Sequence, residues 1–190
     1  MRIKDTEKHE ALFQAAVKVV NEIGFASSSV SKIAREAGVS PATLYTYFAN
    51  KEDLLVSTYM KIKQELSKEA MKKIDDDMPI RDCFKQVWIN YFEFATTHRD
   101  YSVFAEQFAN SPYNEKVDLV QFEKMFEPIG RLVRRGIEMK IIKNVNPDVI
   151  GAFVFYPVLI LTNPRLCRNF KITEEQIQAS FQLAWDAIKL

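Results

Sequence analysis

The chain of 190 residues is long enough for one compact domain or for a small module joined to a larger one. A hydrophobic share of 47% against 27% charged residues excludes a disordered chain. With 26 Lys+Arg against 25 Asp+Glu, the formal net charge of +1 excludes a binder of nucleic acid by bulk basicity, so any such role must rest on local residues.

Five glycines and seven prolines make about half the usual share, and the dipeptides Asn-Gly and Asp-Gly are absent. Hairpins therefore lack local support, and the spacing predicts an all-α chain of about nine helices. The first covers about residues 5–23, where Leu12, Ala15, Ala16, Val19 and Ile23 recur at helical spacing. Gly24 stands where a left-handed residue ends a helix, with Phe25 placed to fold back on Val20. Ser29 caps a short second helix over about 30–37, which Gly38 ends. Ser40 caps the third, Pro41 takes its first position, and it runs to about Phe48. Asn50, with Asp53 three residues on, opens a fourth helix that reaches about Ile74.

Asp75-Asp76-Asp77 and Pro79 break the chain there. A fifth helix follows over about 80–97 and a short sixth over about 101–110. After Ser111-Pro112, a seventh covers about 114–141, with Leu119, Phe122, Phe126, Ile129 and Val133 on one stripe. Asn146-Pro147-Asp148 opens an eighth that runs to about Leu161 and is apolar nearly all round. Thr173-Glu174-Glu175-Gln176 is a capping box for a ninth, to about Lys189. The division expected is a three-helix head over residues 1–49 and a C-terminal helical bundle over 50–190.

Cys83 and Cys167 lack Cys-x-x-Cys spacing and read as buried free thiols, with no disulfide or metal role. The start Met1-Arg2-Ile3-Lys4-Asp5 carries no apolar signal core. The longest apolar run, Val149 to Leu161, is broken by Pro157 and falls short of the roughly 18–20 residues that span a bilayer. The expectation is a cytoplasmic chain with no membrane partner.

The informative stretch runs from Val30 to Phe48. Two short helices joined by a Gly-containing turn make a helix-turn-helix. Ile33, Ala34, Ala37, Val39, Leu44 and Phe48 are the apolar positions that seal it. With Leu44 and Phe48 inward, Ala42, Thr43 and Thr46 point outward, flanked by Tyr45 and Tyr47. A small, hydroxyl-bearing face with two tyrosines suits a major groove.

Residues 11–55 resemble the N-terminal domain of the TetR family of transcriptional repressors. The resemblance is carried by Ala15-Ala16, Gly24-Phe25, Val30-x-x-Ile33-Ala34-x-x-Ala37-Gly38-Val39-Ser40, Leu44-Tyr45-x-Tyr47-Phe48 and Asn50-Lys51-Glu52-x-Leu54. It implies that Ser40 and the first-turn N–H groups of the third helix meet a phosphate, as helix N-termini do. It further places Ala42, Thr43 and Tyr45 at bases, and Tyr47 and Lys51 on the DNA backbone. Ser29 and Lys32 would hold the opposite backbone, and Pro41 and Thr46 complete the candidate DNA-contacting set.

The third helix departs from a strong reader: it has no Arg, Lys, Asn or Gln for bidentate base contacts. Specificity is expected to lean on dimer spacing, tyrosine contacts and DNA shape. Arg2 and Lys4 are candidates for further minor-groove or phosphate contacts. Residues 1–51 hold seven Lys/Arg against five Asp/Glu, barely more basic than the whole chain.

In the body, Trp88, Tyr91, Phe92, Phe104, Phe108, Phe122 and Phe126 are more aromatic than a small bundle core needs. Each reads singly as core; together they are the candidate pocket for a small apolar or aromatic effector. The last two helices carry too much apolar surface for a monomer, and Phe153, Pro157, Leu161, Phe181, Trp185 and Ile188 are the candidate homodimer interface. One large monomeric core is the alternative.

His9 and His98 are the only histidines, and there is no phosphate-cradling glycine loop, nucleophile elbow or paired-ligand metal spacing. No enzyme, cofactor or metal is expected. The resulting expectation is a ligand-responsive, DNA-binding transcriptional regulator. The family resemblance makes it a repressor released from a palindromic double-stranded operator by its effector. The alternative is a dimeric helical module that binds small molecules or proteins without binding DNA.

Overall fold

The computed structural model of the chain describes residues 2–75 and 77–190, with side chains from Asp5 onward. The Arg2 and Lys4 side chains, expected near DNA, lie outside the described residues. The described elements are helical: α1 (Arg2–Ser27), α2 (Val30–Glu36), α3 (Pro41–Leu44), α4 (Lys51–Ala70), α5 (Ile80–Thr97) and α6 (Arg99–Ala109), followed by α7 (Leu119–Glu138), α8 (Pro147–Val154), α9 (Tyr156–Thr162) and α10 (Glu174–Ile188). A 3-10 turn (Pro112–Lys116) precedes α7, where the sequence predicts the start of that helix. An isolated antiparallel bridge pairs Ile142 with Lys189. The eighth predicted segment is the pair α8 and α9. Pro157 has no N–H to offer the carbonyl four residues back, and the helix turns at Phe155. With that pair taken as one element, the described residues form nine α-helices.

The chain divides into two compact units, Met1–Lys63 with Asp100–Phe122, and Gln64–Arg99 with Glu123–Leu190. This differs from a cut at residue 49 because α6 belongs with α1: Phe13 meets Tyr101 at 5.3 Å, and Asn21 donates to the Asp100 carbonyl at 2.8 Å.

In the first unit, α1 breaks at Gly24, whose φ of 76° lies in the left-handed region that favours glycine. Space does not dictate glycine here, since a Cβ would meet nothing within 4 Å. The Phe25 ring then reaches Phe104 (5.4 Å), Phe108 (5.9 Å) and Tyr113 (5.7 Å), contacts that local capping rules do not reveal. Ser29 caps α2 by accepting the Lys32 N–H, and Ser40 caps α3 by accepting the Thr43 N–H at 3.1 Å. Leu12, Ala15, Ala16, Val19, Ile33, Ala34, Leu44, Phe48 and Leu54 form the core that seals the three helices. Asn50 and Asp53 cap α4 reciprocally, Asn50 accepting the Asp53 N–H and Asp53 accepting the Ala49 N–H, each at 2.9 Å.

α3 is shorter than the sequence predicts. The N–H groups of Thr46 and Tyr47 donate to carbonyls three residues back, at 3.1 and 3.0 Å, and the Thr46 hydroxyl also donates to the Thr43 carbonyl at 2.6 Å. That hydroxyl competes with the backbone for the acceptor, so regular α-helix stops at Leu44 and a tighter turn carries the chain to Phe48.

In the second unit, α5 and α10 pack through aromatics: Trp88 on Phe181 at 6.0 Å and Phe84 on Trp185 at 5.7 Å. Cys83 is buried as expected, whereas Cys167 is only half-buried; both are free. No helix among the described residues is long and apolar enough to cross a membrane.

Lys63, near the end of the first unit, places its ammonium 5.2 Å from the Tyr59 ring, and burial pulls it from 10.5 down to about 8. Between those two values the unfolded chain binds a proton that the folded chain has released. Stability therefore rises with pH across this window, and the cost of burying the charge is fully present below pH 8. Lys63→Met should raise the melting temperature at pH 7, and its advantage should shrink as pH climbs through the window. Thermal unfolding of both proteins at pH 7 and pH 10 checks this; an offset independent of pH would contradict it.

Candidate nucleic-acid interface

The caps of α2 and α3 and the turn after α3 present the sequence-predicted residues as a graded surface. Ser29, Lys32, Ser40, Pro41, Ala42, Tyr45 and Thr46 are exposed, Thr43, Tyr47 and Lys51 half-buried, and Leu44 and Phe48 buried. Tyr45 is 54% exposed, a large aromatic held out from a helix of one turn. The Ser40 and Thr43 hydroxyls lie 3.0 Å apart and share a hydrogen bond. Lys32 donates to the Ser27 carbonyl at 3.0 Å, which holds its stem along the end of α1.

Two residues expected on the DNA backbone are turned toward their own chain. The Tyr47 hydroxyl donates to Asp5 Oδ1 at 2.5 Å, and that bond holds the phenol above the usual tyrosine range. The Tyr47 ring also stands edge-on to His9 at 6.0 Å. The Lys51 ammonium donates to the Phe25 carbonyl at 2.6 Å and sits 6.0 Å from the Tyr113 ring; partial burial lowers its pKa. An ammonium has three donors, so this carbonyl leaves two for another acceptor. Asp5, the Phe25 carbonyl and Tyr113 are the partners that sequence reasoning missed. Their distance along the chain from Tyr47 and Lys51 leaves no local signal.

The aromatic residues expected to line a pocket pack on one another and on their neighbours. Phe104 and Phe108 are buried and Phe122 half-buried in the first unit, where Tyr59 stacks on Phe108 at 4.2 Å and on Phe122 at 6.4 Å. Trp88, Tyr91 and Phe92 are buried and Phe126 half-buried in the second, with Trp88 against Phe92 at 5.8 Å and Tyr91 against Phe155 at 6.2 Å. A cavity of about 430 Å³ in the second unit is lined by none of them. Its apolar wall is Met71, Ile74, Pro128 and Leu132 with Cys83; its polar rim is Arg131, Arg134, Arg135 and Glu138.

The residues expected at a dimer face differ in exposure. Phe181, Trp185 and Ile188 are buried against their own unit, and Pro157 and Leu161 are half-buried. The exposed apolar residues of α8, α9 and α10 include Phe153 (56%), Tyr156 (60%), Ile160 (47%) and Leu183 (74%). Periodicity identified the apolar stripe of α10 but not whether it closes on α5 or on a second chain.

The family model described as bacterial regulatory proteins, tetR family, matches residues 12–58, which contain every residue of the candidate DNA-contacting surface. A second, described as Tetracyclin repressor-like, C-terminal domain, matches residues 79–189, more than half of the chain. This chain belongs to the TetR family. It is therefore a helix-turn-helix transcriptional regulator of all-α fold, in a family of regulators and not of enzymes.

The crystal structure of a TetR family transcription regulator from Marinobacter aquaeolei VT8 is similar at 30% identity, covering 100% of this chain and 99% of that one, with a TM-score of 0.91. The fatty acid metabolism regulator protein of Bacillus subtilis (strain 168) is 39% identical over 71 residues, which are 37% of this chain and 34% of that protein's length. The regulator FadR from Bacillus subtilis, in complex with stearoyl-CoA, shares the fold at 20% identity, with a TM-score of 0.72 over 92% of this chain and 95% of that one.

Proposed function

We propose that this TetR-family regulator is a cytoplasmic homodimeric repressor, which places two heads on a palindromic operator and leaves it when a small molecule binds the body. The observation that carries the reading is the sealed helix-turn-helix with its outward face free. Leu44 and Phe48 are buried, while Pro41, Ala42, Tyr45 and Thr46 are exposed. Residues 1–49, with Lys51 just beyond them, supply the DNA contacts, and the rest of 50–190 the effector and dimer functions. Ser29, Lys32, Ser40, Tyr47 and Lys51 meet phosphates, and Pro41, Ala42, Thr43, Tyr45 and Thr46 face the groove. Without a bidentate base reader, each head binds weakly, and two correctly spaced heads supply the selectivity.

The effector's bulk is apolar or aromatic, in keeping with the apolar wall of Met71, Ile74, Pro128 and Leu132 in the body cavity. It acts by binding one of two head spacings more tightly, a coupling of about 1–3 kcal/mol in typical cases. The dimer face comprises Phe153, Tyr156, Ile160 and Leu183 with Pro157 and Leu161 at its margin. The exposed large apolar side chains of α8, α9 and α10 suit such a face.

Sedimentation at micromolar concentration tests the assembly. The parent should run as a dimer, and the double variant Phe153→Asp, Leu183→Asp as a folded monomer with much weaker DNA binding. A monomeric parent would overturn the two-headed reading.

A further inference from the structure

The cavity of the second unit combines an apolar wall with an excess of positive charge. Arg131, Arg134 and Arg135 stand at positions i, i+3 and i+4 of α7, so their guanidinium groups share one helix face. Only one lining residue, Glu138, is acidic. Glu127, outside the lining, takes the Arg134 guanidinium at 2.5 Å and stands 3.9 Å from that of Arg131, beyond hydrogen-bond reach. Arg135 donates to the Met78 carbonyl at 2.6 Å, a neutral acceptor, and its guanidinium also lies beside the Cys83 thiol. Arg131 and Arg135 thus line the cavity with donors to spare, together with Met71, Ile74 and Leu132.

We infer that this cavity binds an amphipathic anion, with a carboxylate or phosphate head at Arg131 and Arg135 and an apolar tail along Met71, Ile74 and Leu132. This rests on the effector-responsive reading above and names the class of the effector. A planar guanidinium pairs with either head through two parallel hydrogen bonds, whereas a neutral apolar ligand leaves those donors facing no partner. The volume of about 430 Å³ falls within the range of small-molecule sites and accommodates a chain of about ten carbons.

Calorimetric titration of the full-length protein with decanoate, decyl phosphate, inorganic phosphate and 1-decanol tests the inference, each probe kept below its aggregation threshold. Saturable binding is expected for decanoate or decyl phosphate, the tighter of the two fixing the head group. Inorganic phosphate and 1-decanol should bind at least about tenfold more weakly, each lacking one half of the recognition. Arg131→Gln should weaken the anionic probe about fivefold, and Arg131→Lys, which keeps the charge, should recover most of that loss. Glu138→Gln should tighten it about twofold by removing the opposing carboxylate. Arg131 is exposed and its ion pair loose, so these variants keep the fold.

Equal binding of 1-decanol and decanoate would overturn the inference. So would no saturable binding of either anionic probe, or an affinity unmoved by Arg131→Gln. DNA affinity measured in the same samples separates the two readings. An anion that binds at Arg131 without altering DNA affinity supports the site and contradicts its role as effector. A protein that fails to bind DNA yet takes decanoate contradicts the repressor reading alone.

Discussion

Leu44→Ala is expected to remove DNA binding by unfolding the recognition element, with a loss of about 2–5 kcal/mol, the usual cost of a large-to-small change in a closed core. Leu44 is fully buried within the cluster that includes Leu12, Ala16, Ile33, Ala34 and Phe48. α3 is one turn long, and helices of that length do not persist on their own hydrogen bonds. Its geometry depends on this side chain and on the Ser40 cap. Two residues on, Thr46→Ala should leave the melting temperature nearly unchanged, because Thr46 is exposed and its hydroxyl bonds only to the neighbouring turn. Melting by circular dichroism, paired with a DNA-binding isotherm, distinguishes the two variants. A Leu44→Ala protein that retains both stability and DNA affinity would contradict the assigned core.

The second large effect is expected from Lys51→Ala, which should lower DNA affinity about tenfold or more and reduce the salt dependence by close to one unit per head. The same substitution removes the bond to the Phe25 carbonyl, worth about 1 kcal/mol, so affinity must be read well below the melting temperature. Tyr47→Phe deletes only the hydroxyl and should weaken binding less. Asp5→Asn should act in the opposite direction. The Asp5 carboxylate accepts from the hydroxyl expected to reach a phosphate, and it places negative charge beside that phosphate. Its neutralisation should therefore strengthen DNA binding severalfold. Anisotropy measurements at three salt concentrations on parent and variants separate these effects. A salt slope unchanged by Lys51→Ala would remove Lys51 from the phosphate contacts.

The parts of the molecule legible in the sequence were those specified by neighbours along the chain. Ser29 and Ser40 cap helices because their side chains reach an N–H three residues on, and Gly24 breaks α1 because its φ is positive. The inward faces of Leu44 and Phe48 follow from helical period alone. What escaped depends on partners distant in sequence. Tyr47 finds Asp5, Lys51 finds the Phe25 carbonyl, and Phe25 itself packs on Phe104 and Phe108, which joins α6 to the first unit. The apolar stripe of α10 was evident, but a stripe does not say which surface covers it, and Phe181 and Trp185 close on α5. The arginine-rimmed cavity escaped for the same reason: Arg131, Arg134 and Arg135 share its lining with Met71, Ile74 and Cys83, which lie far from them along the chain.

Selection of DNA from a random pool by the purified full-length protein tests the central claim most directly. The prediction is enrichment of an inverted repeat, with half-sites about one helical turn or a small multiple of it apart. The enrichment should be lost with the double variant Tyr47→Ala, Lys51→Ala while that protein remains folded. A pool without any enriched repeat, or one enriched equally by the double variant, would contradict it.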